Sequence, residues 1–173
     1  MPRVWRIPVE AGFNAAFRAI ARGVHPDRFG GATDEVRSLA TRLSAELNQA
    51  FDVLSDPVRR ADYLLEIAGG PSAAEMREVP GDFLAEVMML REEIDQARTA
   101  GDDDALRRHR ESIAARRQDT LRQIAPLAEL SADLDEPRRR VLRQLLNSMK
   151  YYDNLLTELA VDPFAVSART TND

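Results

Sequence analysis

His25, Pro26 and Asp27 stand together as a tripeptide, and theirs are the first side chains in this chain whose types and spacing suggest chemistry. An imidazole next but one to a carboxylate can act as a general base steered by its acid. That use also needs a nucleophile or a metal, and a pocket to hold them. The chain has no cysteine, which removes thiol nucleophiles, disulfides and cysteine metal sites together. The second histidine, His109, lies far along the chain in an arginine-rich run, Arg107-Arg108-His109-Arg110, and no glycine-rich phosphate loop occurs. The expectation is therefore no catalytic residue, no metal and no cofactor. Two uses of the tripeptide remain: a plain surface histidine beside a turn-capping aspartate, or an exposed turn read by another protein.

The flanking elements decide how the tripeptide is presented. Phe13, Phe17, Ile20 and Val24 recur at helical spacing, so a helix is predicted over about Gly12 to Gly23, with Arg18 and Arg22 four apart on another face. Pro26 cannot continue that helix and pushes His25 out of the α region. The turn is thus built in, and Gly30-Gly31 extend it. Thr33 or Asp34 can cap a second helix carrying Val36, Leu39, Leu43, Leu47, Ala50, Phe51 and Leu54, expected to pack antiparallel on the first. Pro57 starts a third, short helix, which Gly69-Gly70-Pro71 stop.

Residues 69–81, with three glycines and two prolines, read as a linker between two units. Beyond it three more helices are predicted. One spans about Asp82 to Thr99, one about 103–125 with Pro126 as its end, and one about Glu136 to Ala160. Short turns make these a three-helix bundle. Residues 167–173 read as a frayed tail. Domain bounds follow as 1–68, 69–81 and 82–166. The fold class is all-α, without strand-period segments or repeats.

At 173 residues, 44% hydrophobic and 31% charged, the chain has the composition of a soluble helical protein rather than a disordered one. No apolar run approaches the roughly 18 residues of a membrane span, and Met1-Pro2-Arg3-Val4-Trp5-Arg6 has no secretory core behind it. A cytoplasmic protein with no membrane partner is expected. The net charge is -5. Residues 1–28 hold Arg3, Arg6, Arg18, Arg22 and Arg28 against Glu10 and Asp27, a balance of +3, which leaves -8 for the rest. An acidic body argues against nucleic acid, while a small basic end suits an acidic protein partner.

Helix, basic face, His-Pro-Asp, loop and second helix in this order resemble a J domain, the module through which co-chaperones dock on DnaK-type chaperones. The resemblance extends further. Leu47-Asn48-Gln49-Ala50-Phe51-Asp52-Val53-Leu54-Ser55-Asp56-Pro57-Val58-Arg59-Arg60-Ala61-Asp62-Tyr63-Leu64-Leu65 is similar to the third J-domain helix of HscB-type proteins and its connecting helix. Phe83-Leu84-Ala85-Glu86-Val87-Met88-Met89-Leu90-Arg91-Glu92-Glu93-Ile94-Asp95 resembles the first helix of that family's C-terminal bundle, and Met149-Lys150-Tyr151-Tyr152-Asp153-Asn154-Leu155 part of its last. The likeness covers about residues 13–160.

HscB-type proteins deliver an iron–sulfur scaffold protein to a dedicated DnaK-type (HscA-like) chaperone and stimulate its ATP hydrolysis; they are not enzymes. The resemblance implies that His25, Pro26 and Asp27 engage the chaperone, with Arg18, Arg22 and Arg28 on its acidic surface. It implies equally that Leu84, Ala85, Met88, Met89, Arg91, Glu92 and Tyr151 hold the scaffold. Met88 also fits its helix's apolar stripe, so core packing and exposure stay open for it; Met89 and Arg91 fit that stripe poorly. The alternatives are a J-domain adaptor for another client, or a J-like protein left inactive by a reduced first helix. The family usually begins with an aromatic-leucine helix that braces the other two. Here Trp5, Ile7 and Val9 are the only apolar candidates before Gly12. Either a minimised J domain or a start upstream of Met1 is implied.

Overall fold

The computed structural model describes residues 11–130 and 133–160, and the tail expected at 167–173 lies outside them. Among the described residues there are six α-helices and no strand: α1 (Ala11–Val24), α2 (Asp34–Ser55), α3 (Pro57–Ile67), α4 (Phe83–Ala100), α5 (Asp103–Glu129) and α6 (Glu136–Ala160), with a 3-10 turn over Pro26–Phe29 between α1 and α2. The chain divides into two compact units after Leu64, three residues before α3 ends.

In the first unit Phe51 of α2 holds α1. Its ring stacks on Phe13 at 5.3 Å and lies 4.1 Å from Phe17, centroid to centroid. These contacts bring the start of α1 to the end of α2, so the two helices run antiparallel. Thr33 caps α2, its Oγ1 accepting from the Val36 N–H at 3.4 Å, with Asp34 and Glu35 favourable in the first turn. Asp56 opens α3 by accepting from the Val58 and Arg59 N–H groups at 2.9 and 2.8 Å, ahead of Pro57 at the position where proline costs nothing. Arg60 donates from Nη1 to the Leu54 carbonyl. Burial lowers its affinity for the proton, against the pull of Asp56. The apolar stripe expected along α2 is only partly sealed: Ala40 is buried, whereas Val36, Leu39 and Leu43 are exposed, as is Ile20 of α1. They share the helical phase of the Phe13, Phe17 and Phe51 faces, but Val36 to Leu43 lie 8–15 residues before Phe51 on α2, about 12–22 Å along the axis and beyond the reach of that contact.

The second unit is a bundle of α4, α5 and α6. Phe83, Val87, Leu90 and Ile94 of α4, Ile113 of α5 and Tyr152 and Leu155 of α6 make its core, and Phe83 meets Tyr152 edge to face at 5.3 Å. Gly101 ends α4 in the left-handed region at φ 65°, and the Asp102 side chain caps α5 by accepting from the Ala105 N–H at 2.8 Å. Ion pairs tie the helices across their exposed edges: Arg116 with Glu86, Arg117 with Asp153 at 2.6 Å, and Arg91 with Glu158 at 3.0 Å.

Two expectations change. Pro126 does not end its helix; α5 runs on to Glu129. The proline removes one backbone donor and costs about 3 kcal/mol in an ordinary helix interior. The continued turn, however, buries Ala128 at 1% exposure beyond the fully buried Ile124, which recovers about 1 kcal/mol of that cost. Residues 69–81 are not a free connector either. Pro71 to Val79 form a strap on α6: the Arg143 Nε donates to the Pro71 carbonyl at 2.8 Å, and the Asn147 amide donates to the Met76 and Glu78 carbonyls at 2.9 and 2.8 Å. Met76 is buried beneath it. Ser72 and Glu75 cap each other, Glu75 accepting from the Ser72 N–H at 2.7 Å and its own N–H donating to the Ser72 hydroxyl at 3.3 Å. Hydrogen bonds from the Ser72 backbone and hydroxyl hold the Glu75 carboxyl below the usual carboxylate range, with a smaller pull from Arg143. Gly70 lies so close to Leu65 that a Cβ there would collide with the leucine side chain.

Asn147→Leu keeps the volume but strips both donors from the strap. Leaving buried carbonyls unpaired costs about 1–3 kcal/mol, so the variant is expected to unfold at a clearly lower temperature in a circular-dichroism melt. A melt superimposable on the parent's would show that these two hydrogen bonds contribute nothing.

Candidate functional site: two docking surfaces

The His-Pro-Asp turn takes the form that Pro26 imposes. His25 is extended (φ -64°, ψ 128°), and the 3-10 turn starts directly after it. The Asp27 N–H donates to His25 Nδ1 at 3.3 Å, and the Arg28 N–H donates to the His25 carbonyl at 3.1 Å. The two side chains approach to 3.6 Å and stay open to water, 56% and 89% exposed. That exposure suits a loop that meets a protein, and a sequestered acid–base pair would need the opposite.

Around the loop the basic residues converge. Arg18, Ala21 and Arg22 of α1 line one shallow cavity of about 570 Å³ with His25 and Arg28. Arg28 is steadied by donating from Nη1 to the Arg22 carbonyl at 3.2 Å. Arg37 of α2 reaches back to the Gly30 carbonyl at 3.3 Å and pairs with Asp34, which ties the loop to α2. Four of the six residues expected to meet a chaperone thus share one cavity, and Pro26 and Asp27 lie in the turn that borders it. Sequence reasoning missed Ala21, the small floor of the cavity, and Arg37, the brace. Ala21 was findable as the position between the two arginines on α1; nothing in the sequence marks Arg37.

In the second unit α4 has two faces. Val87, Leu90, Ile94 and Ala97 are buried, and Leu84, Ala85, Met88, Met89 and Glu92 stand on the opposite side in solvent. The two readings of Met88 are thereby separated: at 71% exposure it belongs to the surface. Met88 and Glu92 continue into an open groove of about 730 Å³ with Asp95, Gln96 and Thr99. Arg91 is exposed but engaged, paired with Glu158 of α6, whose backbone carbonyl also accepts from Arg98 at 2.8 Å. Tyr151 is half-buried and packs edge-on against Phe83 at 5.6 Å. Glu158 was not anticipated. Its signal is its position, seven residues after Tyr151 on the same helix.

An exposed turn ringed by arginines and a helix that leaves two methionines in water stand on a fold that is all-α among the described residues. Among the described residues no group of histidine, aspartate and glutamate could hold a metal, and no helix is long and apolar enough to cross a membrane. Comparison with known proteins narrows the class. The profile described as the HSCB C-terminal oligomerisation domain matches residues 79–160. The co-chaperone protein HscB homolog of Chromobacterium violaceum is 38% identical over 78% of this chain and 72% of its own length. That of Burkholderia multivorans is 33% identical over 87% of this chain and 83% of its own. The solved structure of the chaperone HscB from Vibrio cholerae aligns with a TM-score of 0.70 at 26% identity, covering 98% of this chain and 99% of that one. The chain belongs to the HscB co-chaperone family, whose members are not enzymes.

Proposed function

We propose that this protein stimulates the ATPase of a DnaK-type, HscA-like chaperone through His25, Pro26 and Asp27, and that its bundle carries an iron–sulfur scaffold protein to that chaperone for cluster transfer. Residues 1–68 then serve as a reduced J domain and residues 82–166 as the scaffold-binding domain, in a cytoplasmic setting. The observation that supports the chaperone half best is the single cavity shared by Arg18, Arg22, His25 and Arg28. An acidic surface is met there by three guanidinium groups at once, which speeds encounter and fixes orientation more than it adds affinity. The scaffold half draws on Leu84, Met88 and Met89, apolar and solvent-exposed on one helix, with Ala85 and Tyr151 beside them and Arg91 and Glu92 as a polar rim.

One observation favours a second reading, a J-like protein that docks without stimulating. Ile20, Val36, Leu39 and Leu43 are 40–53% exposed, which leaves one side of the α1–α2 pair without an apolar cover among the described residues. A chaperone ATPase assay separates the two readings, since only the first requires stimulation.

His25→Gln is expected to abolish stimulation of the chaperone ATPase with an unchanged far-ultraviolet spectrum, because an exposed loop side chain contributes little to folding. Stimulation at the parental level would sink the J-domain assignment. Arg18→Glu combined with Arg22→Glu should slow association with the chaperone by roughly tenfold at low salt and flatten its salt dependence. If binding of the parent protein is insensitive to salt in stopped-flow measurements, the electrostatic docking argument is wrong.

The scaffold site is separable. Leu84→Ala combined with Met89→Ala removes two exposed anchors and no core residue. Scaffold affinity by calorimetric titration should fall by roughly tenfold or more, with scaffold-free stimulation of the chaperone untouched. Parental affinity in the folded double variant would place the binding face elsewhere on the bundle.

A further inference from the structure

Among the described residues the methionines fall into two sets. Met76 is 6% exposed and Met149 is fully buried, whereas the adjacent Met88 and Met89 are 71% and 63% exposed. Neighbouring residues on a helix point about 100° apart, so the two thioethers cover a broad front of α4. Met88 also lines the groove that runs on past Glu92 and Asp95. Leucine would supply comparable apolar area at these positions without an oxidisable atom. Thioether sulfur differs chemically in one respect that matters here: a peroxide converts it to a polar sulfoxide, and reductases reverse the change.

We propose that Met88 and Met89 form a reversible oxidation site that switches the scaffold-binding face off, an inference that rests on the scaffold-binding reading of α4. The oxidant is a peroxide. A sulfur lone pair attacks one peroxide oxygen, the S–O bond forms as the O–O bond breaks, and the other oxygen leaves as hydroxide, which takes a proton to become water. Sulfur gives up two electrons and the peroxide accepts them. The reverse step draws two electrons from a dithiol, which leaves as a disulfide while the oxygen departs in water.

The change in the surface is local. Each flexible apolar anchor acquires a strong hydrogen-bond acceptor that must be dehydrated to enter an apolar contact. The core is spared, because Val87 and Leu90, on the buried face of α4, hold the helix in the bundle. No charge is added, so the surrounding ion pairs, Arg91–Glu158 among them, stand unaltered. The oxidised protein therefore stays folded and loses one surface.

The experiment treats the full-length protein with hydrogen peroxide, follows each methionine by peptide mass spectrometry and titrates the product with purified scaffold protein. Met88 and Met89 should each gain one oxygen roughly tenfold faster than Met76 and Met149. The far-ultraviolet spectrum should hold, and scaffold affinity should drop by roughly tenfold or more. A methionine sulfoxide reductase should restore it. In Met88→Leu/Met89→Leu the ratio of treated to untreated affinity should stay near one, whatever affinity that variant starts from. The proposal is overturned if the buried methionines oxidise first, if oxidised parent binds as tightly as untreated parent, or if the double leucine variant is equally sensitive. Should the untreated parent fail to bind scaffold, the reading of α4 as the scaffold face fails and this inference falls with it.

Discussion

The second unit depends on α6 being buried almost all the way round. From Leu142 to Met149 every residue except Gln144 is buried. A helix covered on so many sides cannot present a simple apolar stripe to one partner. Its apolar positions face α4 and α5; of the remaining covered positions, Arg143 and Asn147 turn to backbone carbonyls of the strap, and Ser148 donates to the Gln144 carbonyl of its own helix. That division lets residues 71–78, which form no helix, lie against the bundle with the Pro71, Met76 and Glu78 carbonyls paired. It also frees α4: with α5 and α6 packed on its Val87–Leu90–Ile94 side, the opposite side is left to solvent and to partners.

The first unit rests on a smaller contact. One aromatic cluster, Phe13, Phe17 and Phe51, sets the pairing of α1 and α2, and Pro26 sets where α1 must stop. Between them they aim the His-Pro-Asp turn. Arg18 and Arg22 leave α1 on the side away from Phe13, Phe17 and Ile20.

Much of this was legible in the sequence, for reasons that are local. The helix period marked every helix, Pro26 marked a turn that backbone geometry forces, and Thr33 and Pro57 marked starts, Thr33 with a side chain that satisfies a free N–H group. What was not legible depends on long-range contact. Pro126 obeys its local preference only when nothing beyond it is buried, and Ala128 is. The glycines and prolines of residues 69–81 look like a connector because the partners that hold the strap, Arg143 and Asn147, lie about 70 residues away in sequence. Val36, Leu39 and Leu43 carry the right period for a core, and period alone cannot say whether a cover exists. Of the candidate site, the residue types were legible. The shared cavity, the engagement of Arg91 by Glu158 and the exposure of Met88 came only with the fold.

The strap has a consequence for the order in which this chain takes shape. Its hydrogen bonds close loops of 69 to 72 residues, whereas the Phe51 cluster and the cap at Asp56 involve residues that leave the ribosome well before α6. During synthesis the first unit can assemble early, while residues 71–78 wait, unclasped, until Arg143 and Asn147 emerge. Closing so wide a loop is slow compared with forming a helix hairpin. The two surfaces of this protein therefore mature in sequence, the His-Pro-Asp turn first and the α4 face last.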